Sequence, residues 1–145
     1  MSVRTELPPS LIPTLPGRSY TDPALFEQEQ RRIFEAYWIA AARSSDIEGP
    51  GSFRTVDVGR ENVLLVRGRD GTLRAFLNIC RHRGARVCME QSGTGQRKLQ
   101  CGYHAWTYSL DGALVAAPNL TQMEDVDRTQ YGLISVHLRE WLAYV

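Results

Sequence analysis

"CRHRG", residues 80–84, and "CGYHAW", residues 101–106, decide how this sequence is read. The chain has three cysteines and three histidines among 145 residues, and four of those six fall in these two short stretches. Each stretch carries one of each type, Cys80 with His82 and Cys101 with His104. Thiolate and imidazole are the donors that bind zinc and iron–sulfur clusters, so paired loops of this kind point to a metal. On the residues alone, three readings stay open. A structural zinc site would use the same donors in a closed tetrahedron. A two-iron, two-sulfide cluster would take two thiolates on one iron and two imidazoles on the other. Without a metal, the four would be buried small hydrophobes and core histidines. The one-residue gap of C-x-H is shorter than the gaps usual within zinc pairs, and it favours the cluster.

Composition narrows the classes of partner. With 43% hydrophobic and 23% charged residues and a formal net charge of +1, the chain lacks the basic excess of a nucleic-acid or membrane-surface binder. No apolar run approaches the roughly 20 residues that span a bilayer. The start, "MSVRTELPPSLIPTLPGRSY", has no signal-peptide core, so a cytoplasmic location is expected. A reducing compartment makes a structural disulfide among three cysteines a poor reading and a metal or redox role a better one.

Five of the seven prolines fall in the first 23 residues, so residues 1–20 read as an extended arm or a disordered tail. A helix should follow, capped by Asp22, with Pro23 in its first position and Glu27 and Glu29 near its positive end. Leu25, Phe26, Ile33, Phe34 and Tyr37 gather on one face, which is expected to pack on the main core. From residue 38 the pattern is β: "WIAAA", "FRTVDV", "NVLLVRG" and "LRAFLNI" are short apolar or alternating runs between turn signals. Asp70-Gly71 and Asp111-Gly112 read as two-residue hairpin turns, "SGTG" at 92–95 as another turn, and "LISVHLREWLAYV" as a final strand pair. The expected body is a small antiparallel β unit whose loop tips carry the chemistry.

Three stretches carry a family resemblance: "YTDPALFEQEQRRIFEAYWIAAA", "NICRHRGARVC" and "CGYHAWTYSLDGALVAAP". Together they resemble the N-terminal Rieske domain of ring-hydroxylating oxygenase large subunits, over roughly residues 20–145. The resemblance implies a mainly β fold, a Rieske-type antiparallel β-sandwich with a cluster-binding subdomain, preceded by the helix, in a domain running from 21 to 145. It places the cluster ligands on Cys80, His82, Cys101 and His104, with both imidazoles bound through Nδ1. It gives the Tyr108 hydroxyl a hydrogen bond to a ligand sulfur. Trp106 is expected to pack over the cluster. Two positions depart from the family pattern: Gly102 stands where proline is usual, and Ala105 where glycine is usual.

Such a ligand set suits an electron relay. Two ferric ions and two sulfides sum to +2, so two thiolates leave the oxidised core neutral and ease the addition of one electron. High-potential Rieske proteins add a disulfide between the two loops, but here its positions are Ala85 and Tyr103. Those proteins also have a serine where Trp106 stands, so a potential at the low end of the Rieske range is expected. Cys88 matches no ligand position and reads as a buried small residue. Arg81, Arg83, Arg86, Arg97 and Lys98 fringe the loops, as a solvated face or a collar for an acidic electron donor.

The resemblance also implies a mononuclear Fe(II) site, which needs two histidines and a carboxylate. With His82 and His104 assigned, only His137 is left, so that iron would belong to a C-terminal domain beyond residue 145. The expectation is therefore the electron-input part of an aromatic ring-hydroxylating oxygenase, cut before its catalytic domain. Its expected partners are a ferredoxin or flavin reductase and an oxygenase catalytic domain, of a neighbouring subunit in a homotrimer. The alternatives are a free-standing Rieske ferredoxin and a structural zinc module.

Overall fold

The structure is a computed structural model that describes residues 14–118 and 127–145. The chain divides into two units, one up to Tyr37 and one from Trp38 to Val145. Most of the proline-rich arm lies outside the described residues, and its last part is a 3-10 turn over Gly17–Tyr20 rather than extended chain. The helix α1, Pro23–Glu29, starts as the sequence predicts, with the Ala24 N–H donating to Asp22 Oδ1 at 2.8 Å. It runs on into a π turn, Gln30–Phe34, where the Glu35 N–H reaches back to Gln30 O at 2.9 Å. Within this unit Phe26, Ile33 and Phe34 of the apolar stripe are 60%, 46% and 40% exposed.

The second unit is all antiparallel β. A five-stranded sheet has the order β4-β1-β2-β3-β8, and a three-stranded sheet the order β5-β6-β7. The expected strands are β1 (Phe53–Val58), β2 (Glu61–Arg67) and β3 (Leu73–Leu77), joined in register by Val56↔Val63 and Leu65↔Ala75. The edges are short: β4 is Ser92–Gly93 and β8 is Ser135–Val136. The small sheet is β5 (Leu99–Gln100), β6 (Thr107–Tyr108) and β7 (Leu114–Ala116).

Period-two alternation in β2 builds two cores, one on each face. Leu64 and Val66 join Phe53, Phe76, Leu99, Tyr108 and Leu114 between the sheets, together with Cys80, Cys101 and Trp106. Val63 and Leu65 point the other way, to Ile47, Leu73, Ala75 and Val145. Because both faces are covered, β2 reads in sequence as one continuous apolar run.

Turn chemistry differs from expectation in one systematic way. The hairpins at Asp70-Gly71 and Asp111-Gly112 have three-residue tips, not two. The Gly68 N–H donates to Thr72 O, and the Ser109 N–H to Ala113 O, each closing a tip whose last residue is glycine. Gly71 and Gly112 stand there at φ 76° and 89°, which is the left-handed residue such loops require. The two-residue turn is instead Gly59-Arg60, between Val58 and Glu61.

Two expected strands are reduced. "WIAAA" enters neither sheet; its Ala41 N–H donates to Val145 O at 2.7 Å, and the Val145 N–H to Ala42 O at 2.9 Å. "LISVHLREWLAYV" contributes only β8 and a tight turn, Trp141–Tyr144, closed by two 2.9 Å backbone bonds. Among the described residues no helix is long and apolar enough to cross a membrane.

Candidate metal centre

The two Cys/His stretches fold into the same loop. In the first, the Cys80 N–H donates to Ala85 O at 2.7 Å and the Gly84 N–H to Cys80 O at 3.0 Å. In the second, the Cys101 N–H donates to Trp106 O at 2.8 Å and the Ala105 N–H to Cys101 O at 3.0 Å. Both loops need a left-handed residue four positions after the cysteine, and Gly84 and Ala105 supply it at φ 73° and 56°. His82 and His104 ride on this shared frame two and three positions after their cysteines. A Cβ at Gly102 would meet nothing within 4 Å, so space does not explain its departure from proline.

The loops bring the donors together in pairs, thiol with thiol and imidazole with imidazole. Cys80 and Cys101 are each 2% exposed, and Cys101 Sγ lies 4.0 Å from the Arg86 carbonyl of the first loop. Burial pushes the Cys80 thiol up; the Tyr108 hydroxyl counters this, and the neighbouring Cys101 adds to it. The His82 and His104 rings meet edge to face, 4.7 Å apart at 68°. Desolvation, then His104 and Arg83, hold His82 below the ordinary imidazole value. That favours the neutral ring, the form that ligates metals. Tyr103 packs on His104 at 3.8 Å, while His137 is exposed just past β8 and takes no part.

One atom tests the fit of a metal directly. His104 Nδ1 is buried and has no hydrogen-bond partner. A buried nitrogen left unpaired costs about 1–3 kcal/mol, and a lone pair on a ring packed against a second imidazole suits a metal bond. No three His, Cys, Asp or Glu side chains among the described residues are grouped to hold a single ion. The donors form one thiol pair and one imidazole pair, which suits two irons better than one tetrahedral zinc.

Surrounding groups are set by the same packing. Tyr108 has no exposed surface; its oxygen accepts the Arg81 N–H at 3.0 Å and lies 3.3 Å from Cys80 Sγ. With the backbone donor already on the oxygen, the hydroxyl hydrogen is free to point at sulfur. Burial pushes the phenol well above its usual value and keeps that hydrogen in place. Trp106 lies flat on His82, 4.9 Å between centroids at 7°, with Tyr131 against its edge. Cys88 is buried in the core between the sheets, and burial pushes its thiol up to about 12. The basic fringe is exposed, and within it Arg86 approaches Asp57 at 3.9 Å.

A family model for the Rieske [2Fe-2S] domain matches residues 37–132. The chain belongs to this family. The cofactor of a Rieske domain is a two-iron, two-sulfide cluster, and the paired donors fit it. The glycine betaine monooxygenase oxygenase subunit of Pseudomonas aeruginosa (strain UCBPP-PA14) is 40% identical over 133 residues, which is 91% of this chain and 30% of that protein. The biphenyl 2,3-dioxygenase subunit alpha of Rhodococcus jostii (strain RHA1) is 42% identical over 104 residues, or 72% of this chain and 22% of that one. The apo crystal structure of the quaternary ammonium Rieske monooxygenase CntA matches with a TM-score of 0.84 at 36% identity, covering 90% of this chain and 38% of that one. This Rieske domain therefore spans about a third of the length of its glycine betaine relative. The β-sandwich expected of the family is the fold observed.

Sequence reasoning missed Asn78, which is fully buried beside the first loop. Its only sequence signal is an amide two residues before Cys80, at the end of an apolar strand.

Proposed function

We propose that Cys80 and Cys101 hold one iron of the cluster and His82 and His104 the other, the imidazoles through Nδ1. The unpartnered, buried Nδ1 of His104 is the observation that carries this assignment. The cluster supplies reversible one-electron chemistry. The residues do the rest: burial keeps water from the thiolate side, and the Tyr108 hydroxyl, 3.3 Å from Cys80 Sγ, would donate to it once the sulfur is a thiolate. The half-exposed histidine side gives electrons a short way in and out. The contact of Tyr108 with Cys80 Sγ and the stacking of Trp106 on His82 support a role for both beside the cluster's ligands.

The domain serves as the electron-input part of a Rieske oxygenase subunit. The match to the glycine betaine relative runs over 133 residues, longer than the stretch 37–132 that a Rieske domain alone accounts for. That favours an oxygenase subunit over a free-standing ferredoxin. In the whole protein the donor would be a ferredoxin or flavin reductase, and the acceptor a mononuclear Fe(II) outside residues 1–145, on the same or a neighbouring subunit. The longer match to the glycine betaine relative than to the biphenyl one, 91% against 72% of this chain, points to a quaternary ammonium substrate rather than an aromatic one.

The assignment is tested by anaerobic reconstitution of the 145-residue chain. Two irons and two acid-labile sulfides per chain are expected, with two histidine nitrogens coupled to the reduced cluster in pulsed EPR. Stoichiometric zinc without sulfide would overturn it. Oxidation of glycine betaine against biphenyl by the full-length gene product decides the substrate class.

A further inference from the structure

The two cluster loops share one frame but are anchored differently. The second loop is flanked by a ladder, since β5 leads into it and β6 leads out, paired at Leu99↔Tyr108 and Gln100↔Thr107. The first loop leaves the sheet after β3, and no strand of the described structure intervenes before β4. A side chain stands in for the missing ladder. Asn78 Oδ1 accepts the N–H groups of Val87 and Cys88 at 3.1 and 3.0 Å, and its Nδ2 donates to Cys88 O at 2.7 Å. The fourth bond of the amide runs from Nδ2 to Asn62 Oδ1, also at 2.7 Å. Every donor of the amide and both acceptor positions are in use.

We infer that Asn78 is a positioning residue for the cluster: it ties residue 78 to residues 87–88 and so closes the loop that carries Cys80 and His82. The inference rests on the ligand assignment proposed above. Asn62 and Asp57 fix the direction of the tie. Asp57 can only accept, so the Asn62 Nδ2 turns to its Oδ1 at 2.6 Å, which leaves Asn62 Oδ1 facing Asn78. A flipped Asn78 amide would set its NH2 against two backbone N–H groups. The Asn78 main-chain N–H also donates to Asn62 O at 2.8 Å, which keeps the two side chains in step. The relay starts at a carboxylate whose side chain is 76% exposed and ends on the buried limb of the first loop.

Iron release to a chelator and the EPR spectrum of the reduced protein test the inference, with a matched destabilised control. Asn78→Leu keeps the branched outline of the side chain but strands two N–H groups and a carbonyl. Leu65→Ala lies in the second core, away from the loops, and lowers thermal stability without touching them. Asn78→Leu is expected to release iron about tenfold faster than Leu65→Ala, as loss of about one net hydrogen bond would give, and to broaden the g-value spread. Asn62→Asp, a gentler change, sets two carboxylates together and is expected to release iron faster as well. The double variant Asp57→Asn, Asn62→Asp rebuilds the relay with donor and acceptor exchanged and is expected to restore the wild-type rate and spectrum. Release no faster than the Leu65→Ala control, or a double variant as labile as Asn62→Asp alone, would overturn the inference while leaving the ligands in place. A wild-type protein without iron and sulfide would overturn both.

Discussion

Gly84 and Ala105 occupy the same position in the two cluster loops, at φ 73° and 56°, each donating its N–H to the carbonyl of the cysteine four residues before it. Glycine takes this conformation freely, whereas a Cβ there costs about 1–2 kcal/mol.

Ala105→Gly should therefore stabilise the protein. Relief of about 1–2 kcal/mol is offset by about 0.4–1 kcal/mol from the freer unfolded chain, leaving a net gain of about 0.5–1 kcal/mol. Gly84→Ala should lose a similar amount. A Cβ there meets nothing within 4 Å, so the loss would come from the backbone alone. Urea unfolding of both variants at equal cluster content is the check.

The structure also shows why some features were legible and others were not. The donor pairs could be read because each pair sits within one loop, and the alternating runs of β1 to β3 because each strand has covered faces. Asn78 could not, since its partners lie nine and ten residues onward and sixteen back. An alanine codon gives no sign of a left-handed residue, so Ala105 looked only like a departure from pattern. The Asp-Gly turns were placed correctly, but the residue pair alone does not distinguish a two-residue tip from a three-residue one. In α1, periodicity identified the apolar face without saying what would cover it. "WIAAA" reads as a sheet strand, but its backbone pairs instead with Val145, about a hundred residues onward, which local pattern does not reveal.

Cys88 makes a second prediction. Its thiol, pushed up to about 12 by burial, stays protonated at neutral pH and is neither a ready ligand nor a ready nucleophile. Cys88→Ala should keep two irons and two sulfides and cost about 1 kcal/mol of stability. Alanine at Cys80 or Cys101 should abolish the cluster. Iron and sulfide analysis of the three variants separates these outcomes, and cluster loss in Cys88→Ala would mean that the ligand set is wrong.

Glu140 predicts part of the acid sensitivity. The Arg67 guanidinium holds its carboxyl below the usual range, with Ser44 assisting, and the pair stands at 3.2 Å. A depressed carboxyl contributes stability that is fully present above its unfolded value, about 4.3, and is lost as pH falls through the folded value. Glu140 is 42% exposed, so solvent screening limits the contribution to roughly 1 kcal/mol or less. Glu140→Gln should lower stability by up to that amount at pH 7 and flatten the loss below about pH 4.3. Denaturation midpoints at pH 7, 5 and 3.5 would show it.

Tyr108 sets the sharpest expectation for the cluster itself. Its oxygen accepts the Arg81 N–H at 3.0 Å and lies 3.3 Å from Cys80 Sγ; a ligating thiolate can only accept, so the hydroxyl would donate to it and stabilise negative charge on that sulfur. Reduction adds such charge, and the donor therefore favours the reduced state. No second hydroxyl is available from position 106, where Trp106 is buried and stacked on His82. The wild-type potential should accordingly fall near the low end of the Rieske range, about −150 mV. A hydrogen bond to a charged group contributes about 1.5–3 kcal/mol. At roughly 60 mV per 1.4 kcal/mol for a one-electron couple, Tyr108→Phe should lower the potential by about 60–130 mV. Phenylalanine keeps the ring that fills the core, so the fold should survive. Trp106→Ser is the less clean experiment, because it removes the stacking on His82 as well as adding a hydroxyl. Protein-film voltammetry of wild type and Tyr108→Phe at one pH is decisive: an unchanged potential in the variant would mean that the Tyr108 hydrogen is not directed at sulfur.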